Sequence, residues 1–419
     1  MLKYRKRLTG EIGMVERKEY LALLKEWKNE KVIKVVTGIR RCGKSTLLAL
    51  FQEQLKKEGV KKEQIISLNF EELENEELTD YKKLYKYITD RLCKDNYTYI
   101  FLDEIQTVKD FQKVVDSLYV KDNVDIYITG SNAYLLSGEL ATLLSGRYVE
   151  ISILPLSFKE FYELNANMSK EDAFNEYLQC GGFPYVATMD RSKGKYNSYL
   201  EGIYNTVVVK DVEERDKRKH EDKNKRKVTD ITLLKTISKY LASVVGSPVS
   251  AKSIADYLSS NGRKTSSNTV DDYVDALIES YLFYPAERYD IAGKLLLKRN
   301  QKMYMVDLGL RSYLATKKGG DIGYSIENIV YFELLRRGYK VNIGKVGATE
   351  VDFVAQKADG TEYYQVTASM LEESTFNREI APLKNIKDFY PKKILTLDKY
   401  SIGNYDGIVV ENIIDWLLD

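Results

Sequence analysis

A strand, a glycine-bearing loop and a helix in immediate succession constrain this chain more than any other feature. KVIKVVTG, Lys31 to Gly38, is a β-branched run that reads as a buried parallel strand. KSTLLALFQEQLKKEG then places Leu47, Leu48, Phe51 and Leu55 on one helical stripe and stops at Gly59. Between them, Gly38-x4-Gly43-Lys44-Ser45 matches GxxxxGK(S/T) in the strand–loop–helix context that the pattern requires. The glycines let successive backbone N–H groups turn inward around a phosphate, and the helix N-terminus adds partial positive charge. Lys44 has the reach for β and γ phosphates, and Ser45 has the hydroxyl for Mg²⁺. The candidate phosphate-binding set is Gly38, Arg40, Arg41, Cys42, Gly43, Lys44, Ser45 and Thr46. Arg40 and Arg41 either grip phosphate or face solvent. Cys42 reads as a small side chain suited to a tight loop.

Such a loop needs a carboxylate partner. YTYIFLDEIQ, Tyr97 to Gln106, is an apolar strand ending in Asp103-Glu104. Asp103 at the strand's carboxyl end can accept from a Mg²⁺ shell, and Glu104 can orient or activate water. VDIYITGSN is a further apolar strand, ending in Ser131-Asn132. Asn132 there would lie beside Asp103 and could hold the attacking water; a helix N-cap role is the other reading of this pair. Arg147 follows a small-residue turn and precedes a strand. It suits either an arginine finger completing a neighbouring site or a surface salt bridge. The predicted catalytic set is Lys44, Glu104, Asn132 and Arg147.

IKVVTGIRRCGKSTLL, FLDEIQ, ITGSNAYLLS, LSGRYVEISILPLSFKEF and GGFPYV together resemble the AAA+-type prokaryotic ATPases whose C-terminal part is a nuclease-like domain of unknown function. The similarity spans essentially the whole chain. It implies binding and hydrolysis of ATP with Mg²⁺, a winged-helix middle and a restriction-endonuclease-like end. The expected fold is α/β: a doubly wound P-loop core, a helical lid, a winged helix and a C-terminal α/β domain related to the PD-(D/E)xK nucleases. The boundaries read as 1–165 for the core, 166–227 for lid and basic linker, 228–302 for the winged helix and 303–419 for the last domain.

The residues themselves fill in this outline. Signals turn helical from Lys159, and GGFPYV breaks the run with a tight turn that reads as structural. RDKRKHEDKNKRK, Arg215 to Lys227, carries eight basic and three acidic residues and reads as a solvated linker rather than a phosphate contact. Three amphipathic helices follow, with Ser250 and Ser267 as expected N-caps of the second and third. A hairpin wing comes after them. The third helix would face DNA in such a module. It is acidic, with Asp271, Asp272, Asp275 and Glu279, so protein docking is as open as DNA contact. Lys252, Arg263, Lys264, Lys294, Lys298, Arg299 and Lys302 are the positions that could offset this repulsion. In the last domain the order of elements resembles the PD-(D/E)xK fold. Glu327, Asp352 and Gln365 match three of its metal-site positions, with an ordinary exposed strand face as the other reading of Asp352 and Glu350. The position of the lysine is Thr367, which cannot supply a cation, so an impaired nuclease is expected.

Composition sets the remaining bounds. With 419 residues the chain exceeds one core. Its 64 basic and 62 acidic side chains nearly cancel, so net charge gives no argument for nucleic acid. Three cysteines and one histidine argue against a Cys/His metal site and fit a reduced, cytoplasmic setting. No apolar run approaches the ~20 residues that span a bilayer, so no membrane partner is expected. The functional expectation is an ATPase that couples Mg-ATP binding and hydrolysis to a winged-helix and nuclease-like effector acting on DNA. The alternatives are a DNA-processing ATPase with an active metal-dependent nuclease, and a slow ATP-dependent switch that docks a protein partner. Arg147 acting between copies would imply a homo-oligomer.

Overall fold

The computed structural model describes residues 15–130, 144, 146–189, 195–211, 228, 230–315 and 322–419. They divide into two compact units: Met1–Pro155 with Glu279–Tyr281, and Leu156–Ile278 with Leu282–Asp419.

The first unit runs α1 (Lys18–Glu26), β1 (Ile33–Thr37), α2 (Lys44–Lys57), β2 (Ile65–Asn69), α3 (Tyr81–Thr89), β3 (Thr98–Asp103), α4 (Phe111–Tyr119), β4 (Val124–Thr129) and β5 (Tyr148–Ser152). Its five strands lie in the order β2-β3-β4-β1-β5 and pair in parallel throughout. Every residue of β1 and β3 is buried, which is why both read as continuous apolar runs rather than alternations. Ile33, Val35, Ile100, Leu102 and Ile128 pack against Leu84, Ile88, Val115 and Leu118 of α3 and α4. On the sheet's other face Phe51 meets Phe101 and Tyr127, the latter two stacked at 4.8 Å. Local chemistry sets the helix ends. The Asp80 carboxylate accepts from the N–H groups of Lys82 and Lys83 and caps α3. Gly43, at φ 109°, supplies the left-handed turn into α2.

The second unit opens with α5 (Phe158–Leu164), α6 (Lys170–Cys180), α7 (Pro184–Thr188) and α8 (Lys195–Asn205), which passes into a π turn. Next come α9 (Ile231–Ser243), β6 (Pro248–Val249), α10 (Ala251–Ser260), α11 (Ser267–Glu279), β7 (Phe283–Asp290) and β8 (Leu295–Met305). The remainder is α12 (Leu308–Leu314), α13 (Ile322–Arg336), β9 (Lys340–Val346), β10 (Thr349–Lys357), β11 (Gly360–Thr367), α14 (Glu373–Lys384), β12 (Lys392–Thr396), β13 (Gly403–Tyr405), β14 (Ile408–Asn412) and α15 (Ile413–Leu418). Ser250 caps α10 as expected. For α11 the cap is Ser266, not Ser267: its hydroxyl accepts from the Thr269 N–H at 3.1 Å. The two serines are adjacent, and only Ser266 lies three residues before an available donor.

Nine strands form one sheet in the order β13-β14-β12-β11-β10-β9-β7-β8-β6. The β7–β8 hairpin is therefore not a free-standing wing. β7 pairs antiparallel with β8 and in parallel with β9, and the expected boundary between 302 and 303 falls inside β8. The helices expected to form a lid, α5 to α8, group with this second unit. Gly181 and Gly182 have a packing reason. A Cβ on Gly181 would lie 2.3 Å from the Asp307 carboxylate, and one on Gly182 would lie 2.3 Å from the Leu156 carbonyl. Asp307 accepts from the Gly182 and Leu310 N–H groups, so it ties the turn to the start of α12. Residues 215–227 lie outside the described residues.

Candidate functional site

The loop from Gly38 to Gly43 leaves the carboxyl end of β1, next to the ends of β4 and β5. In an open α/β sheet this is where ligands sit. Gly38 has φ 140°, and a Cβ there would lie 2.2 Å from the Ile153 carbonyl oxygen and 3.1 Å from the Cys42 sulfur. Only glycine lets the backbone turn at that approach. Cys42 is fully buried, which pushes its thiol pKa up; it serves as the small side chain that the loop requires. Arg17 braces the same loop, donating to the carbonyls of Cys42 at 3.2 Å and Leu154 at 2.8 Å. Nothing in the sequence marks Arg17, because its partners are main-chain carbonyls.

Lys44 begins α2 and is buried. It donates to the carbonyls of Gly38 at 3.0 Å and Ile39 at 3.4 Å, and stands 3.8 Å from Glu104 Oε1. Ser45 and Thr46 are exposed, as residues that meet a ligand must be. The Ser45 hydroxyl nonetheless lies close enough to Asp103 to lower its pKa, which brings the loop next to β3. Burial raises the Asp103 pKa, and the hydroxyls of Ser45 and Thr129 oppose that shift. The loop and the two acids thus converge at one end of the sheet, with β4 between their strands. The nest of amides, the ammonium and the hydroxyl–carboxylate pair fit a triphosphate with its divalent cation.

β4 also supplies a residue that sequence reading missed. Thr129 donates to Asp103 Oδ1 at 2.5 Å and accepts from the Glu104 N–H at 2.9 Å. It holds both acids at once. The strand order could have exposed it, since the last residue of a strand lying beside β3 must face Asp103. Ser131 and Asn132, the residues that the sequence marks on this strand, lie outside the described residues. Gln106 was missed as well; its amide donates to Glu104 Oε2.

The arginines divide. Arg40 is paired with Glu71 at 3.1 Å, and Arg41 is exposed with φ 67°. Arg147 stands at the amino end of β5, where its carbonyl receives the Ile33 N–H. The loop leaves the opposite, carboxyl end of the sheet, so Arg147 is not brought into its own chain's site. Its guanidinium lies 5.2 Å from the Tyr119 ring and faces Asp116, the surface-anchoring alternative.

In the second unit, Glu327, Asp352, Gln365 and Thr367 line one cavity of about 420 Å³, with Arg378 and Glu379. Asp352 is no open strand face: its carboxylate accepts from the Val366 N–H at 2.8 Å. Desolvation, then Glu327, pushes its pKa up, against the pull of Lys302. Gln365 accepts from the Asp352 N–H and donates to Glu379. Lys302 corrects an expectation. Far from facing DNA, it is 4% exposed, 3.0 Å from Glu327 and 2.9 Å from Glu350. Burial lowers its pKa, but Glu327, Asp352 and Glu350 outweigh that and raise it overall. Arg263 is likewise engaged, paired with Asp230, whereas Lys252, Lys264 and Lys294 are exposed. The side chains of Lys298 and Arg299 lie outside the described residues.

These features define an AAA-type P-loop protein. A family model for the AAA domain matches residues 30–162, and one for a domain of unknown function matches residues 171–321. More particularly, the chain belongs to the family of an uncharacterized Haemophilus influenzae protein, 41% identical over 411 residues that cover 97% of this chain and 99% of that one. A Methanocaldococcus jannaschii protein is 31% identical over 91% of this chain and 85% of its own length. Among solved structures, a Walker-type ATPase of Pyrococcus abyssi is similar at TM-score 0.46 and 16% identity, covering 72% of this chain and 96% of that one. The Orc1 protein of Aeropyrum pernix, solved in complex with DNA, is similar at TM-score 0.30 and 13% identity, over 73% of this chain and 93% of that one. Among the described residues, no helix is long and apolar enough to cross a membrane.

Proposed function

We propose that this protein binds ATP with Mg²⁺ at the β1–α2 loop and hydrolyses it. One observation carries the reading: Lys44, Ser45, Asp103 and Glu104 converge at the carboxyl ends of β1 and β3, with Lys44 3.8 Å from Glu104 and Ser45 beside Asp103. The amides of the 38–43 loop would hold the phosphates, and Lys44 would leave its two carbonyls for the β and γ oxygens. Ser45 and Asp103 are the residues to hold Mg²⁺, which supplies charge neutralisation across the phosphates. Glu104 would orient and deprotonate the attacking water, with Asn132 as its expected helper. Steady-state hydrolysis by wild type, E104Q and K44A tests this. Glu104→Gln should lose about 10²- to 10⁴-fold in turnover while still binding nucleotide. Wild-type turnover retained by Lys44→Ala would sink the reading.

The second unit is read as the effector. Its helices α9 to α11 and the β7–β8 hairpin follow the order of a winged helix, and DNA is the target tested first. Salt-sensitive binding to duplex DNA, lost with Lys252, Lys264 and Lys294 changed to Ala, supports it. Salt-insensitive capture of a protein partner would favour the docking alternative instead. The cavity around Asp352 is read as an impaired nuclease site, because Lys302 already compensates Glu327 and Glu350. Plasmid cleavage with Mg²⁺ or Mn²⁺ that Asp352→Ala abolishes would overturn this part. Arg147 keeps an arginine-finger role only across a homo-oligomer interface.

A further inference from the structure

We propose that Arg17 is a positioning residue for the phosphate loop, fixing the Cys42–Gly43 peptide so that the Gly43 N–H is presented to phosphate. The inference rests on the reading of the 38–43 loop as an ATP site. Arg17 stands at the N-terminal end of α1, 25 residues before Cys42, and is 6% exposed. Its side chain forks. One nitrogen, Nη1, donates to the Cys42 carbonyl at 3.2 Å, and the other, Nη2, donates to the Leu154 carbonyl at 2.8 Å. The two acceptors belong to different walls of the loop. Cys42 is its last residue before Gly43. Leu154 follows Ile153, whose carbonyl oxygen leaves no room for a Cβ on Gly38 and whose N–H is bonded to the Thr37 carbonyl at 2.8 Å. One planar cation thus ties the end of the loop to the wall at its beginning. A guanidinium holds two acceptors in one fixed plane, which an ammonium on a flexible stem does not.

The consequence follows from peptide geometry. The Cys42 carbonyl and the Gly43 N–H belong to one planar trans unit and point in opposite directions. Gripping the oxygen from the buried side turns the hydrogen toward the open side, where Ser45 and Thr46 are exposed. Gly43, at φ 109°, has no side chain to steady that peptide. The N–H one residue earlier is already committed within the loop, from Cys42 to the Ile39 carbonyl at 3.3 Å. The orientation of the next peptide is therefore set from outside the loop, by Arg17.

Placing Arg17 there has a cost. It is a non-glycine residue at φ 51°, a conformation with backbone strain, and it buries a charge. Tyr20, one turn along α1, offsets part of this. Its ring lies 4.7 Å from the guanidinium, and its hydroxyl accepts from the Leu154 N–H at 3.2 Å. The same segment is thus held at its N–H by Tyr20 and at its carbonyl by Arg17, but only the arginine also reaches Cys42 in these bonds.

The test uses the full chain, with steady-state ATP turnover, binding of fluorescent ATP and ADP analogues, and urea unfolding without nucleotide. Arg17→Met keeps the apolar stem and removes the fork. The KM for ATP should rise by about tenfold to a hundredfold, and both analogues should weaken by a similar factor, because the loop amides bind phosphate alike before and during reaction. The kcat should stay within about threefold of wild type, because Arg17 touches no reacting atom. Tyr20→Phe removes the other hold on Leu154 and leaves the Cys42 carbonyl to Arg17, so its KM should stay within about twofold of wild type. A folded R17M variant with wild-type KM overturns the inference. So does a loss confined to kcat, or a rise in KM of the same size in Y20F, which would mark a general loosening of α1. If R17M shows no cooperative unfolding in urea, Arg17→Gln, polar and shorter, goes through the same assays with the same outcomes. A wild-type chain that binds neither analogue would instead overturn the ATP reading itself.

Discussion

Gly38 and Thr129 shape the proposed phosphate site from behind it. At Gly38, a methyl group would meet the Ile153 carbonyl oxygen at 2.2 Å from a backbone at φ 140°. Gly38→Ala should abolish analogue binding and destabilise the first unit by more than about 1 kcal/mol, measured by urea unfolding. Thr129→Val keeps the shape but strips Asp103 of a donor and leaves the Glu104 N–H buried without an acceptor. An orphaned buried donor costs about 1–3 kcal/mol, so the melting temperature should fall and the Mg²⁺ requirement for turnover should rise. The loop residues were legible in the sequence because phosphate binding demands particular residue types at fixed spacing. Thr129, Gln106 and Arg17 were not, because each acts through a contact that spacing cannot show. One meets a carboxylate across strands, one a neighbour two residues back around a left-handed turn, and one braces the loop through main-chain oxygens.

At the level of elements, two buried charges decide how parts are held. Asp307 joins the Gly181-Gly182 turn to the start of α12, and burial pushes its pKa up from 3.8 to about 6. The folded state therefore holds its proton more tightly than the unfolded chain does. This contribution to stability is full below about pH 4 and is lost as pH rises through about 6, by roughly 3 kcal/mol. Asp307→Asn should flatten that part of the profile relative to wild type in urea unfolding across pH 4–7. Lys302 is the second case. Lys302→Met leaves buried Glu327 without its ion-pair partner, while Glu350 keeps Arg288 at 3.8 Å, and should cost about 3–5 kcal/mol, much of it recovered in a K302M/E327Q double variant. The sequence showed Lys302 only as a basic residue of a hairpin. Its true neighbours lie on α13 and β10, and pairing of β7 with β9 is a long-range choice that local pattern does not encode. Helices were readable because each buries one face, and β1 and β3 because burial on both faces leaves a continuous apolar run. Which strands share a sheet was not.

For the whole molecule, the two units set separate expectations for ligand-linked stability. A nucleotide that binds the first unit at about 100 times its Kd should stabilise it by about 2.7 kcal/mol. Calorimetry with a non-hydrolysable analogue should show that shift in the transition which Gly38→Ala also moves, and binding without any shift would argue against a folded phosphate site. The continuous nine-stranded sheet has a different consequence, for anyone who wants the pieces apart. A cut at 302/303 would sever β8 in the middle of its pairing with β7, next to its pairing with β6, and strip β9 of a neighbour, leaving raw hydrogen-bonding edges on both fragments. Grafting a foreign recognition head onto this scaffold would have to carry the hairpin across intact, because the two apparent modules are woven from one cloth.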